Sequence, residues 1–345
     1  MKIRSRAPLR LGLAGGGTDV SPYCDTYGGA ILNATIGHYV YATIEPLAEG
    51  KLEFVSCDQK KSARYERSGG AIPMDGNLDL LKHVHLFVEE KFADEKLLSV
   101  RLTTRADVPA GSGLGGSSTL VVAMLRAYAE WLGYPLDDYE LANAAWEIER
   151  TRAGMNGGRQ DQYAAAFGGF NFMEFGAQGR VLVNPLRISQ GVVAELEASI
   201  VLLYTGASRE SAGIISEQAR NVETNNADAL EAMHQIKQES LRMKEALLRG
   251  DFEQLHDVLR ASWDAKRRMA KGIVNERIDR LYHRALEAGA YCARISGAGG
   301  GGFMIFLADP MRKQDVSRAL GEGEDAGVVY GCHFTREGAR AWRMR

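Results

Sequence analysis

Only four of the 345 residues are cysteines, Cys24, Cys57, Cys292 and Cys332, and no two form a C-x-x-C pair. That scatter excludes a zinc ribbon and a disulfide framework, and it fits a reducing compartment. Long apolar runs are missing too: no stretch approaches the roughly 20 residues that a membrane-spanning helix needs. The opening "MKIRSRAPLRLGLAGGG" carries basic residues, but its apolar run is too short and broken for a signal peptide. Charge of one sign is lacking as well. With 42 Lys+Arg against 44 Asp+Glu, the net charge is −2, so no global field draws the chain to nucleic acid or to an anionic membrane. An anionic substrate must therefore be met by local basic groups. With 45% hydrophobic and 25% charged residues, the expectation is a cytoplasmic protein long enough for two domains with cores of their own.

Glycine, by contrast, is plentiful and concentrated. Residues 107–120 read "DVPAGSGLGGSSTL", with Gly111, Gly113, Gly115 and Gly116 inside six positions. Glycine lets the backbone take φ > 0 and approach a ligand closely, so consecutive N–H groups can face one concavity. The following "SSTLVVAMLRAYAEWLG" has apolar residues at helical spacing, with Ser117 or Ser118 as the expected N-cap. A glycine loop running into a helix N-terminus is an anion site, because orphan N–H groups and the helix dipole both favour negative charge. A Walker P-loop is excluded, since Ser117 stands where its lysine belongs. The pattern G-x-G-x-x-G is present at Gly111, Gly113 and Gly116, but it lacks the first-strand position and the downstream acid of a dinucleotide fold.

Along the chain, "KIRSRAPLRLGLAG" reads as a strand, and "HYVYATIEPL" and "KLEFVSC" as a hairpin turning at "AEG". "NLDLLKHVHLFVEEKF" predicts a helix and "LLSVRLTTR" a strand entering the glycine loop. Helices are expected near 117–132 and 137–152, followed by a Gly-rich turn, a short helix and the strands "GFNFMEF" and "RVLVNPL". The pattern then shifts: "SIVLLYTG" is a buried strand, 211–270 is almost wholly helical, and "VVYGCHFT" is the final strand. The expected class is α+β, with an N-terminal domain over 1–185, a C-terminal domain over 186–345 and the active site in the cleft between them.

Three further features carry chemistry. "SGAGGGG", Ser296–Gly302, lies between two predicted strands, which implies close approach by another backbone or a ligand. "YELANAAWEIERTRAG" offers Glu147 and Glu149 as hard oxygen ligands which, with the Ser117 hydroxyl, would suit Mg²⁺ on a nucleoside triphosphate. Asp161 in "NGGRQDQYAAAFGG" stands at a loop–helix junction, where a carboxylate could take a proton from a substrate hydroxyl or simply cap a helix.

Together these stretches resemble the GHMP kinases. "APLRLGLAGGGTD" looks like their N-terminal sugar-binding motif, "PAGSGLGGSS" like their phosphate loop and "RISGAGGGGFMIF" like their third glycine motif. "ERTRAGMNGGRQDQ" is similar to the stretch holding the metal-binding glutamate and the catalytic aspartate. The resemblance implies a two-domain GHMP kinase fold that uses ATP and Mg²⁺. It makes Asp161 catalytic with Arg10 beside it, and makes Ser117 and Glu149 the Mg²⁺ ligands, although Gly116 stands where many members have the first serine of a pair. ATP would be held by Pro109, Gly111, Ser112, Gly113, Leu114, Gly115, Gly116, Ser117 and Ser118. The sugar would be held by Arg10, Gly15, Gly16, Gly17, Thr18, Asp19, Asp161, Gly299 and Gly300. "GLAGGGTD" departs from galactokinase, which has a glutamate–histidine pair there. "APLRLGLAGGGTDVSPYCDTYGG" and "YTGASRESAGIISEQ" look most like the branch acting on heptose 7-phosphate in surface-polysaccharide synthesis, with fucokinase-type domains second. A sugar phosphate needs a clamp for its distal phosphate; Arg209 is the first candidate, ahead of Arg152, Arg159, Lys82 and His83. Expected partners are ATP and a small sugar phosphate, with neither nucleic acid nor membrane, and with a homodimer left open.

Overall fold

The computed structural model describes residues 1–67, 71–206 and 211–344, with only the backbone of Ser211. β1 (Lys2–Ala14) alternates between exposed and buried residues at its start and is then buried on both faces. After a short helix α1 (Tyr23–Tyr27), the long β2 (Gly29–Pro46) runs back antiparallel along nearly all of β1. The chain continues through β3 (Lys51–Ser56), β4 (Lys61–Glu66), α2 (Asp79–Phe92) and β5 (Val100–Ala106). α3 (Gly116–Leu132), α4 (Asp138–Trp146) and α5 (Gln160–Phe167) follow, then β6 (Phe170–Phe175) and β7 (Val181–Pro185). Residues Glu147–Arg152 extend α4 as a π-helical turn.

The first sheet runs β12-β1-β2-β5-β3-β4, where β12 is Arg340–Met344, with β6 paired to β2 and β7 to β6. α2 to α5 cover one face, where Ile3, Ile31, Phe54 and Leu102 pack with Val121, Leu125 and Tyr128. Each such large apolar side chain contributes about 1.5–3 kcal/mol when fully buried.

The expected pairing of β2 with β3 is corrected here. β5 inserts between them, antiparallel to β2 and parallel to β3. The "AEG" link straddles the incoming strand: Leu47 N donates to Ser99 O and Gly50 N to Ser99 Oγ. β3 instead makes its hairpin with β4, turning where Lys60 takes φ 53.

The second unit begins with α6 (Gln190–Ser199) and β8 (Ile200–Tyr204). It continues through α7 (Ser211–Glu223), α8 (Ala227–Arg249), α9 (Phe252–Met269), α10 (Glu276–Glu287), β9 (Ala290–Ile295), β10 (Phe303–Ala308), α11 (Lys313–Gly321) and β11 (Val328–Tyr330). Its antiparallel sheet runs β11-β8-β10-β9. α8, α9 and α10 each start on Asn226, Asp251 or Asn275, whose side chain accepts the amide hydrogen bond of the third residue on. One apolar cluster joins the units: Leu9, Leu11 and Leu32 of the first sheet pack with Ile200, Leu202, Leu247, Leu255, Phe303 and Ile305.

"VVYGCHFT" is not the last strand. β11 stops at Tyr330, and His333–Thr335 cling to β2 through Gly37 N to His333 O and Thr335 N to Thr35 O. The chain then ends in β12 (Arg340–Met344), on the free edge of β1. In the division proposed at 185/186, residues 340–344 would go with the first unit.

This return passes α5 with no space to spare. A Cβ on Gly338 would overlap the Ala166 carbonyl, and one on Gly168 would overlap the Glu337–Gly338 peptide. Gly338→Ala is therefore expected to destabilise the protein by about 1–3 kcal/mol, the usual scale for overpacking. A thermal melt with an unchanged midpoint would show that the strap is looser than this geometry requires.

Candidate active site

The phosphate loop is built on backbone conformations that L side chains rarely adopt. Gly111, Gly113 and Gly115 have φ of 72, 77 and 78. A Cβ on Gly113 would lie 2.7 Å from Ser296 O, and one on Gly115 would lie 3.0 Å from Asp161 Cγ. The second glycine run meets this loop backbone to backbone: Phe303 N donates to Ser112 O at 2.9 Å, and a Cβ on Gly302 would lie 2.5 Å from Ser112 O. The helix N-cap is Gly115, not Ser117 or Ser118, and no side chain caps it. Uncapped first-turn amides of α3 therefore stay available to an anion.

A cleft of about 570 Å³ opens here, lined from both units. Pro109, Gly111, Ser112, Gly113, Gly115, Gly116, Ser117 and Ser118 are on its walls, whereas Leu114 is wholly buried in the apolar cluster between the units. Leu114 acts through its carbonyl, which accepts the Arg10 amide.

Arg10 is the hub. Its side chain is only 4% exposed, and it meets Asp161 Oδ1 through Nε at 2.7 Å and Nη2 at 2.6 Å. Nη1 donates to Gly113 O at 2.7 Å and lies 3.2 Å from Ser296 Oγ. One guanidinium thus ties β1, the phosphate loop, α5 and the third glycine motif. Asp161 keeps partial exposure towards the cleft.

Ser117 Oγ donates to Glu149 Oε1 at 3.0 Å. Glu149 has no exposed surface, and its other oxygen accepts from Gln162 Nε2, which also reaches Ser118 Oγ. Among the described residues no cation pairs with Glu149, so this buried carboxylate is met only by neutral donors. Glu147 instead pairs with Arg152 at 3.2 Å. The π-helical turn carries Glu149 to the start of α3.

The sugar-motif residues divide. Gly16, Gly17 and Asp19 line the cleft. Gly15 presses on Ala30, and Thr18 Oγ1 is spent on the carbonyls of Gly15 and Ala30. Asp19 is buried, and its Oδ2 accepts from the amides of Arg159 and Gln160 at 2.8 and 3.0 Å, at the N-terminus of α5. It thereby holds the helix that carries Asp161. Burial, and to a lesser degree the Asp161 charge, raise the Asp19 pKa above its ordinary 3.8 against the pull of those amides. Gly299 reaches the cleft; Gly300 N donates to Ile273 O behind it.

Arg209 lies outside the described residues. The other clamp candidates turn away from the cleft. Lys82 is buried between Asp75 and Asp79, Arg152 pairs with Glu90 and Glu147, and Arg159 lies over Trp146. His83 sits on the same helix as Lys82, beside Arg152.

Sequence reasoning missed Gln162, Lys266 and Arg294. Lys266 had a signal: it continues the stripe Leu255, Val258, Leu259, Ser262, Trp263, Met269, the buried side of α9.

A glycine-built anion loop, a caged carboxylate beside a serine, and an arginine-held aspartate in one inter-domain cleft define a phosphotransferase that works without a Walker lysine. The sequence profile of the GHMP kinase N-terminal domain matches residues 79–169, and that of the C-terminal domain matches 243–325. The D-glycero-alpha-D-manno-heptose 7-phosphate kinase of Campylobacter jejuni is 47% identical over 342 residues, 99% of both chains. A crystal structure titled D-glycero-D-manno-heptose 1-phosphate kinase, from Bacteriodes thetaiotaomicron, shares 42% identity and superposes with a TM-score of 0.83 over 99% of both chains. The L-fucokinase/L-fucose-1-P guanylyltransferase of Bacteroides fragilis is 27% identical over 93% of this chain but only 36% of its own. The chain belongs to the GHMP kinase family and is a sugar kinase that uses ATP as phosphate donor. Among the described residues no helix is long and apolar enough to cross a membrane.

Asp19 yields a pH test. Its folded-state pKa is raised, so the ionised form costs stability once the pH exceeds the unfolded value of 3.8. Asp19→Asn is expected to melt above the wild type at pH 7, with the gap closing as the pH falls towards 4. A gap that widens on acidification would reverse the assignment.

Proposed function

We propose that this enzyme transfers the γ-phosphoryl group of ATP to the anomeric hydroxyl of D-glycero-D-manno-heptose 7-phosphate. The product is the 1,7-bisphosphate, an intermediate towards GDP-heptose for surface polysaccharide. The observation carrying the reaction type is the Arg10–Asp161 pair at 2.6 Å beside the phosphate loop. The substrate assignment draws its support from the 47%-identical relative and from the triple glycine.

Phosphoryl transfer asks a protein mainly for positioning and charge neutralisation. Backbone amides of 111–117 hold the triphosphate, in place of a Walker lysine. Ser117 and Glu149 fit Mg²⁺: a buried carboxylate and a hydroxyl 3.0 Å apart, with no cation of the described residues between them. Among the described residues no cluster of three or more His, Cys, Asp or Glu is present, so the remaining ligands would be phosphate oxygens and water, as this ion prefers. When bound, it would neutralise charge on the transferring phosphate. Gln162 keeps Glu149 aimed at Ser117. Asp161 accepts the proton of the sugar's O1 and orients that oxygen; Arg10 fixes the carboxylate by two contacts to Oδ1. Asp19, Gly16 and Gly17 form the sugar wall.

Asp161→Asn is expected to lower kcat by about 10²–10⁴-fold, with ATP affinity unchanged by calorimetry. Turnover near the wild-type rate would remove Asp161 from the chemistry. Assays of ADP release with heptose 7-phosphate, heptose 1-phosphate and free fucose test the acceptor. Activity confined to fucose would move the enzyme to the fucokinase branch.

A further inference from the structure

Two lysines are deeply buried, and the fold treats them differently. Lys82 meets Asp75 at 2.5 Å, Asp79 at 2.9 Å and the Pro73 carbonyl at 2.8 Å, and against the downward pull of burial the two carboxylates raise its pKa. Lys266, on α9, is 5% exposed and lines the cleft. Among the described residues its Nζ makes one hydrogen bond, to the Gly297 carbonyl, and no ion pair with a carboxylate.

The groups facing Lys266 deepen the imbalance. Arg10 approaches from β1 and Arg294 from β9, both buried. Arg294 gives Nη1 to the Leu13 carbonyl, finds no partner for Nε among the described residues and flanks Gly16. Among the described residues the acid acting on Lys266 is Asp19, whose Oδ2 is held by two amides; Asp161, in the same cleft, is already paired with Arg10. Burial first, then the charges of Arg294 and Arg10, press the Lys266 pKa well below 10.5; Asp19 pulls weakly the other way. A buried, unpaired ammonium is costly to a fold. Such a group at a cleft wall marks a place where the missing counter-charge comes from a ligand.

We propose that Lys266 is a binding group for the phosphoryl group of the acceptor sugar phosphate, a contact completed only when that substrate enters. This rests on the sugar-phosphate reading above. Lys266 stands beside the sugar wall: a Cβ on Gly17 would lie 2.8 Å from Met269, one turn further along α9, and Arg294 borders Gly16. The acceptor, rather than ATP, is therefore the anion it faces.

Lys266→Met is expected to raise KM for heptose 7-phosphate by about tenfold or more while KM for ATP stays near the wild-type value. Its melting temperature should equal or exceed the wild type's, because an unpaired buried charge has been removed; Lys82→Met, which orphans two carboxylates, should melt lower. Lys266→Arg should recover part of the acceptor affinity. An unchanged acceptor KM, a rise confined to ATP, or a lowered melting temperature in Lys266→Met would each overturn the proposal. A wild type inactive on heptose 7-phosphate but active on another sugar phosphate defeats the substrate assignment alone, and Lys266 is then judged by the same KM comparison on that sugar.

Discussion

A single guanidinium, almost sealed from water, holds the candidate site together. Arg10 stands on β1 and reaches three segments distant in sequence: the carboxylate of Asp161, the carbonyl of Gly113 and the hydroxyl of Ser296. Arginine suits this place because its planar fork offers several donors in fixed directions and keeps its charge when buried. Lysine would present one point charge and could not satisfy all three. The geometry of β1 therefore sets the geometry of the site, and β1 is held firmly: its start is paired on both edges, and its second half is paired to β2 and buried on both faces.

Around that hub, the enzyme substitutes main chain for side chain. Two glycine loops from opposite halves of the sequence interlock so closely that a methyl group on Gly113, Gly297 or Gly302 would run into the facing backbone. The amides this frees, at the uncapped start of α3, supply partial positive charge without a cation of their own. Among the described residues the full charges there include a caged glutamate beside a serine, an arginine-held aspartate, and a lysine held by a single carbonyl.

Much of this was legible in the sequence because it depends on local composition. The glycine runs, the position of Asp161 at the start of a helix and the two-unit pattern follow from residue identity and spacing. The misreadings came from long-range geometry. Nothing in "HYVYATIEPLAEGKLEFVSC" shows that β5, some fifty residues later, will wedge between its two halves. Nor does "ARAWRM" show that it closes the edge of the first sheet. Serine as the helix cap was the sound local expectation, and it failed because Ser117 turns to Glu149 instead. Lys266 was hidden among Lys266, Arg267 and Arg268, where only the apolar stripe of α9 separates the buried cation from solvated ones.

The pairing of β12 with β1 has a bearing on biogenesis. The strand that carries Arg10 is made long before its outer neighbour, which lies far along the chain. Until residues 340–344 have emerged, that edge offers unpaired amides and carbonyls to whatever is nearby, including nascent copies of the same chain. A polypeptide lacking residues 340–344 would carry an open flank on the strand that bears Arg10.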